Sequence, residues 1–175
     1  ILDGEEKTGI TIMQMDAGVD TGDMLYKKEI AISGEDNYET LHDKLMELGG
    51  QAITEALPLL EQGKLVPEKQ QDALSCHAPM IDKGMGEIDF SQDAAAIDRR
   101  IRAMTPWPSA YTSYHGKTLK IWRAAPTYTE NIYARTAGEV LRTDRDSVTV
   151  SAGKGALRIY ELQMEGKKRM SAEDF

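Results

Sequence analysis

Cysteine is almost missing from this chain: Cys76 stands alone among 175 residues, so no disulfide can close within it, and a reducing, cytoplasmic setting is expected. Long apolar runs are missing too. No stretch approaches the roughly 18 apolar residues of a membrane span, and no charged and apolar leader opens the sequence, so neither membrane insertion nor export is expected. The three histidines, His42, His77 and His115, lie far apart without metal-ligand spacing. Cys76 and His77 are sequence neighbours, a poor arrangement for a nucleophile and its base. SAGKGA, near the C-terminal end, lacks the spacing and hydroxyl residue of a phosphate-binding loop and reads as a turn between strands. The first residue is Ile1 rather than Met, which suggests a piece of a longer protein.

What is present is a globular composition, 41% apolar and 29% charged, enough for one domain or two small ones. The net charge of −8 is unevenly placed: residues 1–66 hold 5 basic and 14 acidic side chains, and the rest hold 16 and 15. An acidic front is therefore joined to a nearly neutral back.

Two strands are predicted first, GITIMQM from Gly9 and MLYKKEIAI over 24–32, joined as a hairpin by MDAGVDTGDM. A helix follows Ser33. Leu41, Leu45, Leu48, Ala52, Ala56 and Leu60 recur every three or four residues along one face, Pro58 should bend or interrupt the last turn, and Gly63 should end it. Residues 64–87 show no period, which makes 67–87 a linker between a unit at 1–66 and another at 88–175.

Ser91 is predicted to cap a second helix over 92–104, with Ala94, Ile97, Ile101 and Met104 as its apolar stripe and Arg99, Arg100 and Arg102 largely elsewhere. TPWP ends it. Five short strands follow, SAYTSYH, KTLKIWRAA, AGEVLRT, SVTVSA and ALRIYELQ, with a long connection from Pro126 to Thr136 between the second and third. Their number and spacing suit a small OB-like barrel. The ending, GKKRMSAEDF, puts Ser171 three residues before Asp174, as at a helix start. Trp107 and Trp122 are expected in the core rather than as base-stacking platforms.

The chemistry of the acidic turn stays open at this level. Asp16, Asp20 and Asp23 do not follow the alternating ligands and closing glutamate of a calcium loop, but they fit both a plain tight turn and a site holding a catalytic carboxylate. GKKRM is either a solvated charge cluster or a contact to phosphates.

Taken in order, KTGITIMQMDAGVDTGDML, LHDKLMELGGQAI, IDFSQDAAAIDRRIRAMTPWPSAY and GKKRMSAEDF resemble the methionyl-tRNA formyltransferase family, and the resemblance covers nearly the whole chain. It implies the end of a Rossmann-like formyltransferase domain, then a linker, then an OB-like barrel. It implies formyl transfer from 10-formyltetrahydrofolate to the amino group of methionyl initiator tRNA, by a cytoplasmic monomer without a metal.

In that family an asparagine, a histidine and an aspartate surround the formyl carbon, and the aspartate falls on Asp20; Asp16 and Asp23 do not match it. The asparagine and histidine belong to an Asn-x-His-x-Ser motif that this sequence does not contain. The same resemblance makes Lys83, Lys167, Lys168 and Arg169 the tRNA phosphate contacts, with Arg99, Arg100 and Arg102 as weaker candidates. Two rivals remain: another folate-dependent formyltransferase or hydrolase, acting for example on an amino-sugar nucleotide, and a non-enzymatic nucleic-acid-binding barrel. GKKRMSAEDF favours the tRNA enzyme.

Overall fold

The computed structural model describes residues 1–128 and 136–175, which divide into two compact units. One comprises residues 5–34 and 40–80; the other comprises 1–4, 35–39 and 81–175.

The first unit contains the expected hairpin. β1 (Lys7–Met13) pairs antiparallel with β2 (Met24–Ala31), and strict alternation puts Thr8, Ile10 and Ile12 of one strand beside Ile30, Lys28 and Tyr26 of the other on a half-buried face. α1 (Tyr38–Glu61) meets that face. Its Glu55 accepts hydrogen bonds from Tyr26 Oη at 2.6 Å and Lys28 Nζ at 2.7 Å, which hold the carboxyl below its ordinary range, Lys28 contributing most. Leu41, Leu48, Ala52 and Ala56 are buried as the period requires.

Leu60 does not belong to the stripe; it is 49% exposed, and Leu59 is half-buried in its place. At 100° per residue, Leu59 stands directly in line with Leu41 after five turns, and Leu60 lies a further 100° round. α1 runs through Pro58 and stops one turn later. Gly63 adopts φ +65°, its N–H donates to Leu60 O at 2.9 Å, and Lys64 N–H donates to Leu59 O at 2.9 Å. That pair of bonds is a Schellman ending, which needs a residue free to enter the left-handed region.

The stretch read as a linker is partly ordered by β2. Met24 and Glu68 exchange backbone hydrogen bonds of 2.7 and 2.9 Å, and Lys27 Nζ reaches the Glu68 carboxylate at 2.7 Å. Single 3₁₀ turns occupy Asp72–Leu74 and, in the second unit, Gly84–Gly86.

In the second unit α2 spans Ala94–Ala103, starting later than predicted. Asp93 is the cap: its carboxylate accepts from Ala95 N–H at 2.9 Å. Ser91 donates its hydroxyl to Asp89 instead, at 2.6 Å. α2 lays Ile97, Ile101 and Met104 on a sheet built from β3 (Ala110–Tyr114), β4 (Lys117–Thr127), β5 (Val140–Thr143), β6 (Val148–Ser151), β7 (Ala156–Met164) and β8 (Met170–Ser171). Ile121, Leu157, Ile159 and Leu162 complete this core.

The sheet order is β3-β4-β7-β6-β5, all antiparallel, with β8 sharing the edge of β7 beyond β6. The structure therefore shows a mixed α/β chain with an open six-stranded sheet; no pairing among the described residues joins β3 to β5. Most of the expected connection between β4 and β5 lies outside the described residues. Past β8, Asp174 N–H donates to Ser171 Oγ at 3.2 Å, as the helix-start pattern predicts.

Neither tryptophan is in the core: Trp107 is 55% exposed, and Trp122 is half-buried on the face of the sheet opposite α2. Strand alternation accounts for Trp122, since its neighbour Ile121 faces α2 and is fully buried.

Candidate functional site

The acidic loop spans residues 14–23 between β1 and β2. Its neck is closed by Gln14 N–H donating to Asp23 O at 2.8 Å. Asp16 folds the tip: its carboxylate accepts from Gly18 N–H at 3.0 Å and from Thr21 Oγ1 at 2.6 Å, a local turn typical of aspartate. Those bonds, the Thr21 hydroxyl foremost, hold the Asp16 carboxyl below its ordinary range. Gly22 lies against the neck so closely that a Cβ there would sit 1.7 Å from Gln14 O, which leaves room for glycine alone.

Asp20 is the unusual member. Its φ of +55° is left-handed, a conformation that costs an aspartate on the order of 1 kcal/mol. Its carboxylate is exposed and takes no hydrogen bond or ion pair among the described residues. Asp16 thus satisfies its own backbone, whereas Asp20 presents an unengaged charge. None of the three histidines contacts Asp20 among the described residues: His42 lies 3.3 Å from Asp43, His77 is exposed, and His115 packs edge-on to Tyr114.

Sequence reasoning missed one partner of this loop. Gln70 Nε2 donates to Asp20 O at 2.8 Å and to Gly22 O at 2.7 Å. Nothing in the aperiodic stretch around Gln70 marks it; the backbone pairing of Glu68 with Met24 brings it there.

The basic candidates separate into two kinds. Lys83, Lys167 and Lys168 are exposed, and their ammonium groups are unpaired among the described residues. Arg169 is pinned: its Nε donates to Glu161 at 2.7 Å, and its guanidinium lies 5.1 Å from the centre of the Trp122 ring, which also receives Lys120 at 5.7 Å. Arg123 pairs with the other Glu161 oxygen at 3.0 Å. Burial pulls the Glu161 carboxyl upward, but Arg169 and Arg123 outweigh it and keep the group below its ordinary range. Lys167 O accepts from Gln163 Nε2 at 2.8 Å, and Gln163 in turn accepts from Trp122 Nε1 at 3.1 Å, so the basic turn is tied to the sheet on both sides.

The arginines of α2 are engaged internally. Arg99 Nε donates to Leu2 O at 3.3 Å, Arg100 Nη1 to Met85 O at 2.7 Å, and Arg102 Nη1 to Asp36 O at 2.8 Å, all half-buried. Arg102 also meets Asp98 at 2.9 Å, although burial still raises the Asp98 carboxyl above its usual range. Among the described residues no group of three or more histidines, cysteines or carboxylates is placed to hold a metal, and no helix is long and apolar enough to cross a membrane.

Comparison with known proteins adds a family. Residues 80–175 match the family described as "Formyl transferase, C-terminal domain", and residues 1–57 match "Formyl transferase". The chain is 47% identical over all 175 residues to the methionyl-tRNA formyltransferase of Geobacter metallireducens, covering 55% of that protein, and 47% identical to the one of Citrifermentans bemidjiense, covering 54%. It thus spans about half the length of the curated relatives it matches. Among solved structures, an N-formyltransferase from Helicobacter canadensis in complex with folinic acid and dTDP-3-aminofucose superposes with a TM-score of 0.72 at 19% identity, over 94% of this chain and 58% of that one. HypX from Aquifex aeolicus in complex with tetrahydrofolic acid gives 0.68 at 20%, over 99% and 30%. At such identities the likeness concerns the fold.

Proposed function

The chain belongs to the formyl transferase family, and from that membership we propose that it is the C-terminal part of a methionyl-tRNA formyltransferase, which passes a formyl group to the amino group of methionine on initiator tRNA. The observation that carries the choice of acceptor is the 47% identity, over the whole chain, with curated enzymes of that name. Residues 1–66 then end a Rossmann-like domain, 67–87 link it, and 88–175 belong to an OB-like tRNA-binding domain. The same reading makes the protein a cytoplasmic monomer.

10-Formyltetrahydrofolate supplies the formyl carbon, and the folate-type ligands in the two solved relatives support a donor of that class. Attack by an amine on a formyl carbonyl builds charge on oxygen, which positioned donors stabilise. Asp20 serves that need indirectly: an exposed, unengaged carboxylate orients a histidine ring and favours its protonated, donating form. The histidine and the asparagine come from an Asn-x-His-x-Ser motif that these 175 residues do not contain. In the second unit Lys83, Lys167 and Lys168 meet phosphates as point charges, and Arg169, held over Trp122, extends the same basic turn.

A formylation assay tests this reading. Full-length protein containing this chain should formylate methionyl initiator tRNA and leave a nucleotide-linked amino sugar untouched, and the isolated 175 residues should be inert. Transfer to the sugar alone, or transfer by the isolated chain, would overturn it.

A further inference from the structure

We infer that Gln70 is a positioning residue that holds the Asp20 carboxylate in its working geometry through the loop backbone. The inference rests on the formyl-transfer reading of Asp20.

Three observations converge on it. Asp20 occupies a left-handed conformation, whose backbone cost a bond to its own peptide offsets. Asp16 and Thr21 order the tip of the loop, but no bond from them reaches the Asp20 peptide. The Gln70 carboxamide does reach it: one nitrogen, with two N–H donors, bridges the carbonyls of Asp20 and Gly22 at 2.8 and 2.7 Å. The two carbonyls belong to the residues on either side of Thr21, so the bridge sets the direction of the chain as it leaves Asp20, and the same nitrogen lies 4.0 Å from Met13 Sδ.

Gln70 is itself held in place. Two residues earlier, Glu68 makes paired backbone bonds to Met24 and an ion pair to Lys27, so the segment that carries Gln70 is registered against β2. The catalytic loop is thereby gripped from outside the hairpin, by a segment that belongs to no helix or strand of its own. Loss of the grip frees φ and ψ at Asp20 while leaving the carboxylate chemically intact. Misplacement of a supporting group by about 1 Å costs on the order of 100-fold in rate.

The test uses the full-length protein, assayed with 10-formyltetrahydrofolate and methionyl initiator tRNA. Gln70→Glu keeps the shape and removes both donors; Gln70→Leu removes polarity as well. Each should lower kcat about 10- to 100-fold with the KM of both substrates and the melting temperature nearly unchanged. Combined with Asp20→Ala, Gln70→Glu should cause no further loss, because the group it positions is already gone.

Wild-type kcat in Gln70→Glu alongside a crippled Asp20→Ala would refute the positioning role and leave the formyl-transfer reading standing. Wild-type kcat in Asp20→Ala would refute that reading, and this inference with it. Losses that multiply fully in the double variant would place the action of Gln70 elsewhere. A measurement without any substitution applies the same test: in protein labelled with ¹⁵N-glutamine, the Gln70 carboxamide protons should exchange slowly with solvent, and rapid exchange would overturn the bridge.

Discussion

Gly22→Ala is the sharpest probe of the acidic loop. The added methyl would stand 1.7 Å from the Gln14 carbonyl oxygen, which is fixed backbone rather than a side chain that can swing aside. Ordinary carbon–oxygen contact requires the two strands of the neck to part by more than about 1 Å, an overpacking strain typically of about 1–3 kcal/mol. Parting them also stretches the 2.8 Å bond from Gln14 N–H to Asp23 O, worth about 1 kcal/mol.

Because Gly22 O is one of the two acceptors of Gln70, the shift is passed directly to Asp20. Two readouts follow: a lower melting temperature, and a fall in the formylation kcat of the full-length enzyme of about 100-fold. Gly18→Ala is the internal control. Its methyl would meet Thr21 Oγ1 at 2.1 Å, and that side chain can rotate away at the cost of one exposed hydrogen bond to Asp16. Gly18→Ala should therefore cost clearly less on both measures. If Gly22→Ala matched wild type, or Gly18→Ala were the more damaging, the close-packed neck would not be what positions this loop.

Three further outcomes are expected. Lys168→Ala should weaken binding to tRNA of any sequence and reduce the slope of log K against log salt by about one, measured by filter binding across a salt series; an unchanged slope would remove Lys168 from the interface. Arg102→Ala should do the opposite, leaving the salt slope alone while lowering stability by about 1–3 kcal/mol in urea titrations, since it removes the guanidinium from the half-buried Asp98 carboxylate. The Glu161 carboxyl is lowered in the fold, so the unfolded chain takes up its proton first: its contribution is complete above the unfolded value near 4.5 and is lost as pH falls through the folded value. Wild type should thus lose stability faster than Glu161→Gln below about pH 4.5 in acid titrations followed by circular dichroism; parallel curves would mean that Arg169 and Arg123 do not hold this carboxylate.

Much of the fold was legible because hydrophobic period is a local property. The hairpin, the buried stripe of α1 through Ala56 and the positions of β3 to β7 all followed from spacing within a dozen residues. Errors arose where spacing was not enough. Ser91 and Asp93 are both good caps by composition, and the choice went to Asp93 because Asp89 had already taken the Ser91 hydroxyl. Trp122 read as core because an aromatic in a strand usually is, yet Arg169 and Lys120 cover its ring on the opposite face. Spacing set the α2 arginines apart from the apolar stripe but could not show their acceptors, because the carbonyls of Leu2, Asp36 and Met85 lie elsewhere in sequence.

The same division applies to the acidic loop. Sequence alone determined that three aspartates and two glycines sit between two strands, and that the ordered motifs point to Asp20 among them. Tertiary structure decided what each does: Asp16 is consumed by its own turn, Gly22 is required by the Gln14 carbonyl, and Asp20 keeps an unengaged carboxylate on a left-handed backbone that Gln70 grips from fifty residues away. The physical reason is range. Turn propensity and hydrophobic period are set by neighbours along the chain, whereas a hydrogen bond between a side-chain amide and a distant carbonyl exists only once the backbone that carries the amide has been registered against another strand.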